Sequence, residues 1–328
     1  MKSAAKRHHY LPQSYLEGFC REGGFWVYDR KDDEYRKQTP ANTTVQKHYY
    51  SIGEEDGEKN IEIERMLSAL EGDTKKIINN IIHRKPLSNE DKMIMSLFIS
   101  FAWTRIPDFE RLVNESMKRL IKKTGDILSK DVGRIKQTFE RYEKDTGDKI
   151  EIEPAQLKEF WDKGKFDIVM NRNASLDMML QVAPEYGRFL SLMDWVFGIA
   201  PKDYSFITTD SPFVLIPTDD EKVIKAFGSS IGLLVPGVKK LFPISQKVCL
   251  VITDCGDKIQ YAKYNKSLCK EINIRLARHA KRFVIGRDKA LLRSLVREAK
   301  LDRGQRGDTF RIHDIGPYQI LQRVPIEE

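Results

Sequence analysis

DWVFGIAPKDYSFITTDSPFVLIP, residues 194–217, marks a change in the character of the chain. Before it, apolar residues recur at helical spacing. From Asp194 onward, short runs rich in Val, Ile, Phe and Thr are cut by Pro, Gly and Asp, the pattern of strands separated by turns. KKLFPISQ (239–246), VCLVITDC (248–255) and IQYAKY (259–264) continue it. Such a run predicts a mainly antiparallel sheet. A helix over 266–280, the strand RFVIGRD (282–288) and a helix over 289–300 follow. The basic segment 303–323, RGQRGDTFRIHDIGPYQILQR, reads as irregular.

The middle of the chain has the other period. Ile63, Met66, Leu67, Leu70, Ile77, Ile78 and Ile81 predict a helix over 61–82. Ser88 followed by Asp91 is an acidic variant of the capping box, and it opens a helix through MIMSLFISFAW (93–103) that must end before Pro107. Residues 108–146 form a long charged helical stretch with a thin apolar stripe. Pro154 opens another helix, and 174–192 holds at least one more. At the N-terminus, a helical turn within HHYLPQSYLEGFC (8–20) leads into the strand FWVYDR (25–30), with a partner strand around Tyr35–Gln38. The fold class is therefore α+β: a helical middle and a mainly antiparallel C-terminal sheet joined by a small N-terminal β element. Residues 1–328 make either one compact unit or two lobes, 1–60 with 194–328 β-rich and 61–193 helical.

The 328 residues carry a net charge of +8 and are 41% hydrophobic, enough apolar matter for a sizeable core. Excess Lys and Arg favour a polyanionic partner, with simple solubility as the alternative. Cys20, Cys249, Cys255 and Cys269 form no CxxC pair and read as reduced thiols. The N-terminus has no apolar run of the secretory type, and no window suits a membrane span. The expectation is a soluble cytoplasmic protein with no membrane partner. GxGxxG after a strand, GxxxxGK[ST], HExxH and GxSxG are all absent, which argues against the commonest nucleotide-binding, metalloprotease and hydrolase architectures.

HHYLPQSYLEGF with FWVYDR, then ERMLSALE, WTRIPDF, FITTDSPFVL, LFPISQKVCLVI and the late RFVIG follow one another in an order that resembles domain-of-unknown-function family 4238, a bacterial group. The resemblance implies a one-domain bacterial cytoplasmic protein linked to conflict with mobile elements, and it carries no established activity. His8, His9, Glu64, Glu71, Arg105, Asp210 and Asn273 match its typical polar positions. Where the family has Asp-Asn-Pro, this chain has Asp210-Ser211-Pro212, a hydroxyl in place of an amide.

His8 and His9 suit proton transfer or metal ligation, or form a solvated leader. Asp210, expected exposed at a strand end, suits a metal or a proton; otherwise it closes an Asx turn on its own backbone. Glu64 and Glu71 share a helix face about 10 Å apart, too far for a dyad. Arg105 either complements the carbonyls ending its helix or, beside Trp103, holds a phosphate. Arg275, Arg278 and Arg282 on one side of the late helix, with Lys281, are the candidate phosphate track, and Asn273 reads a base or ties a loop.

Taken together these features lead to a bacterial nucleic-acid-acting protein, in its sharpest form a nuclease effector of a defence or toxin type. His9 and Asp210 would do the chemistry with Arg105, His8 and Glu64, either without a cofactor or with Mg²⁺ on Asp210 and a Glu. The rivals are a non-catalytic nucleic-acid- or protein-binding adaptor and an enzyme acting on a small phosphorylated molecule.

Overall fold

The computed structural model describes residues 7–47, 57–164, 166–168, 172–227, 232–301, 309–315 and 318–324. The N-terminal elements are β1 (Arg7–His9), α1 (Gln13–Glu17), β2 (Phe25–Asp29), β3 (Glu34–Gln38) and β4 (Val45–Lys47). Six helices follow: α2 (Gly57–Ile82), α3 (Asn89–Thr104), α4 (Pro107–Leu128), α5 (Val132–Thr146), α6 (Pro154–Lys163) and α7 (Arg172–Ser191). After them come β5 (Met193–Ile199), β6 (Thr208–Thr209), β7 (Val214–Ile216), α8 (Glu221–Phe227), β8 (Lys239–Pro243), β9 (Val248–Cys255) and β10 (Ile259–Lys263). The last elements are α9 (Lys266–His279), β11 (Phe283–Gly286), α10 (Lys289–Glu298), β12 (Thr309–Ile315) and β13 (Tyr318–Val324). The fold is α+β, with two mainly antiparallel sheets. Two compact units are present: Met1–Asp108 with Met178–Glu328, and Phe109–Asp177.

The five-stranded sheet runs β10-β5-β9-β8-β7, antiparallel except for the β10–β5 pair. Its inner face buries Trp195, Phe197, Phe242, Leu250 and Ile252. Each such side chain contributes roughly 1.5–3 kcal/mol by leaving water. The four-stranded sheet runs β3-β2-β11-β6, all antiparallel. The N-terminal hairpin β2–β3 thus pairs with the late strand β11, which joins the two ends of the chain in one sheet. Alternation along β2 sends Trp26 and Tyr28 to one face and Phe25, Val27 and Asp29 to the other. The first face packs on α9 and α10, in a core holding Tyr28, Phe206, Val284, Leu276, Leu292 and Leu295.

In α3 the expected cap is present. Ser88 Oγ accepts from the Asp91 amide at 3.0 Å and the Asp91 carboxylate accepts from the Ser88 amide at 2.9 Å. The helix buries Met95, Phe98, Ile99 and Phe101 and ends at Thr104. Two expectations need correction. The stretch 108–146 is two helices, because Asp131 turns its carboxylate onto the Gly133 amide at 2.8 Å and starts α5 afresh. The segment read as irregular contains the antiparallel pair β12–β13, in register from Thr309↔Val324 to Ile315↔Tyr318. No helix among the described residues is long and apolar enough to cross a membrane. All four cysteines are free, with Cys249 and Cys269 buried.

Candidate functional site

Asp210 follows β6 and is buried, 6% exposed, rather than standing open at a strand end. Its carboxylate does not close an Asx turn either. One oxygen accepts from the Lys281 amide at 3.0 Å and the other from the Arg282 amide at 2.7 Å. Its own amide donates to the Phe283 carbonyl at 3.1 Å. The local turn belongs to Thr209, whose Oγ1 accepts from the Ser211 amide at 3.1 Å. Burial pushes the Asp210 carboxyl up to about 6, against the pull of the three backbone contacts and the Lys281 charge. Asp210 therefore fastens the end of β6 to the turn between α9 and β11.

The same turn presents Arg282, which stands beyond the end of α9 and not on its face with Arg275 and Arg278. Ala280 leaves the helix with φ −54° and ψ 134°. The Arg282 guanidinium reaches Asp29 with Nε at 3.1 Å from both oxygens and Nη2 at 2.9 Å from one, and it also approaches Asp32. Arg36 donates to Asp29 from β3 at 2.9 Å. Burial alone would raise the Asp29 carboxyl; bonding and charge from Arg282, the Lys31 amide and Arg36 outweigh it and hold the carboxyl below its ordinary range. Tyr10 lies within electrostatic reach of Arg282, which brings the N-terminal segment to this junction.

His9 itself is half-buried. Its Nδ1 faces the Thr43 carbonyl at 3.3 Å and the Gln13 amide donates to Nε2 at 3.0 Å, a pairing that suits the neutral Nδ1–H tautomer. His9 is not among the partners of Asp210. His8 pairs with Gln46 in β1–β4, and its side chain lies outside the described residues. Glu64 is half-buried on α2. About two helical turns beyond, Glu71 accepts from Arg105 Nη1 at 2.9 Å. Arg105 caps the C-terminus of α3 through its backbone, but its guanidinium goes to Glu71 rather than to the helix carbonyls. Trp103 stacks on Tyr186 at 4.9 Å and leans on Phe213 at 4.8 Å, setting the end of α3 beside the 210–213 turn.

The expected basic track divides. Arg275 pairs with Glu271 at 2.8 Å, Arg278 donates to the Ala299 carbonyl at 3.4 Å, and Lys281 pairs with Asp108 at 3.2 Å. Asn273 ties a loop: Nδ2 donates to the Ser205 carbonyl at 2.8 Å and Oδ1 accepts from the Ile207 amide at 3.0 Å. On α10 the picture differs. Lys289 Nζ sits 5.1 Å from the Trp26 ring centre and 5.9 Å from that of Tyr35, and Arg293 sits 5.8 Å from the latter. Neither cation is ion-paired among the described residues.

The match to a family model covers residues 7–290, and the model describes a protein of unknown function, DUF4238. The chain belongs to this family. No curated protein and no solved structure matches it.

In this member of the family, no group of three or more His, Cys, Asp or Glu side chains among the described residues could hold a metal ion. Of the polar positions that resemble the family's, Glu71 and Arg105 meet each other between α2 and α3. Asp210 bonds the α9–β11 turn, Asn273 the loop before β6, and His9 the Thr43 carbonyl and Gln13. Sequence reasoning missed Asp29, Arg36 and the Trp26–Tyr35 platform. The available signal was the alternation in FWVYD, which puts Asp29 on a buried face and requires a cation opposite.

Proposed function

We propose that this chain is a nucleic-acid-binding protein and that it engages single-stranded nucleic acid along α10 and the β2–β3 hairpin. The observation that carries the reading is the stacking of Lys289 and Arg293 over Trp26 and Tyr35 without carboxylate partners among the described residues. Lys289, Arg293 and Arg297 recur every four residues, so they line one side of α10 at steps of about 6 Å. Lys37 stands opposite Trp26 on β3 and extends the same face. Cations held in place over aromatic rings suit a strand whose phosphates meet the charges. A net charge of +8 supports a polyanionic partner, and four free cysteines support a cytoplasmic setting.

Binding, rather than cleavage, is the reading favoured by the expected catalytic pair: His9 and Asp210 are each engaged in bonds that hold the fold. The test is fluorescence anisotropy of a labelled single-stranded oligonucleotide, RNA and DNA in parallel, with wild type, Lys289→Ala/Arg293→Ala and Arg275→Ala. The double variant is expected to weaken binding by about tenfold or more and Arg275→Ala by less than about twofold. Equal binding by the double variant and wild type would remove α10 from the interface. The same oligonucleotides, incubated with and without Mg²⁺, report whether the strand is also cut, and His9→Ala and Asp210→Ala test the hydrolytic form of the proposal.

A further inference from the structure

At the C-terminal end of α3, the Arg105 side chain is 3% exposed, and Nη1 is taken by Glu71. Nε and Nη2 are inaccessible to solvent and meet no acceptor. These two nitrogens form one edge of the guanidinium, where two N–H bonds run side by side and can grip two oxygens at once. Ser211 is 1% exposed, and its hydroxyl also lacks a partner. The segments bearing them are fastened together twice. Trp103 leans on Phe213, and Asp108 accepts from Lys281, whose amide holds Asp210. Arg105 falls between Trp103 and Asp108 in the chain; Ser211 falls between Asp210 and Phe213. Buried donors without acceptors are costly, most of all on a charged group. Glu71 fixes the guanidinium through Nη1, which preorganises the Nε–Nη2 edge.

We infer that the Nε–Nη2 edge of Arg105, with the Ser211 hydroxyl, is a binding site for an oxyanion that presents two oxygens, a phosphate monoester or a carboxylate. The site is separate from the α10 face and uses none of its residues. Calorimetric titration of the full chain with inorganic phosphate and, separately, with acetate at matched ionic strength tests it. One equivalent of phosphate bound in preference to acetate identifies a phosphate source; the reverse order identifies a carboxylate. Arg105→Lys keeps the charge but loses the two-pronged edge, and is expected to weaken binding by about tenfold or more; Ser211→Ala should cost about two- to tenfold. Circular dichroism and urea midpoints establish that each variant is folded, and Ser211→Ala decides if Arg105→Lys is not. Absence of binding by wild type to either anion would overturn the inference. So would affinity unchanged in Ser211→Ala or in a folded Arg105→Lys.

Discussion

Asp29 and Asp210 are carboxylates of opposite character set a few residues' packing apart. Asp29 is wholly buried yet charged, because guanidinium groups from β3 and from the α9–β11 turn converge on it. Arg282→Met leaves that charge with Arg36 and one amide, and unfolding free energy should fall by about 2–4 kcal/mol in urea titration; a loss below about 1 would mean that Arg36 suffices. Asp210 has backbone partners and little solvent, and its carboxyl rises from the ordinary 3.8 to about 6. Between those values the folded chain keeps a proton that the unfolded chain has lost. This stabilisation is therefore complete below pH 3.8 and disappears as pH rises through 6, a change of about 3 kcal/mol. Asp210→Asn abolishes it. The stability of wild type relative to the variant should decline from pH 4 to pH 7, and a flat or rising difference would refute the assignment. Neither role was legible in the sequence, where Asp210 looked exposed and Asp29 looked like the end of a strand, because each depends on a partner about 70 or 250 residues away.

Periodicity and capping made α3, β2, β5 and β9 readable, since each rests on a local pattern that tertiary contacts reinforce. Ser88→Ala removes one half of the capping box and should lower stability by about 1 kcal/mol in denaturant titration. Where the reading failed, one residue decided the outcome: Asp131 ends one helix by starting another, and Ala280, the C-cap of α9, leaves Arg282 beyond the helix and free to turn toward Asp29. The hairpin β12–β13 was hidden by its charges, although Phe310 and Ile312 alternate as a strand requires. Asn273 joins α9 to the loop before β6. Asn273→Ala would leave a buried amide and a buried carbonyl unpaired, with an expected loss of about 2–3 kcal/mol by thermal or urea unfolding. A cost near zero would show that water replaces the side chain.

For the whole chain, charge and topology act together. The pairing of β2 with β11 brings the N-terminal aromatics Trp26 and Tyr35 under cations supplied some 260 residues later by α10. A basic track of Arg275, Arg278, Lys281 and Arg282 was visible in the sequence, but its division was not: acidic partners for Arg275, Lys281 and Arg282 come from α9 itself, from Asp108 and from the N-terminal hairpin. Among the described residues Lys289 and Arg293 of α10 carry no ion pair, and the proposed face for a polyanion is built on them. The most direct test of that claim is the salt dependence of affinity for a single-stranded oligonucleotide, wild type against Lys289→Ala/Arg293→Ala. If the two side chains contact phosphates, the slope of log K on log salt should become shallower by about 1.4 in the double variant, about 0.7 for each lost contact. Equal slopes and equal affinities would contradict the account.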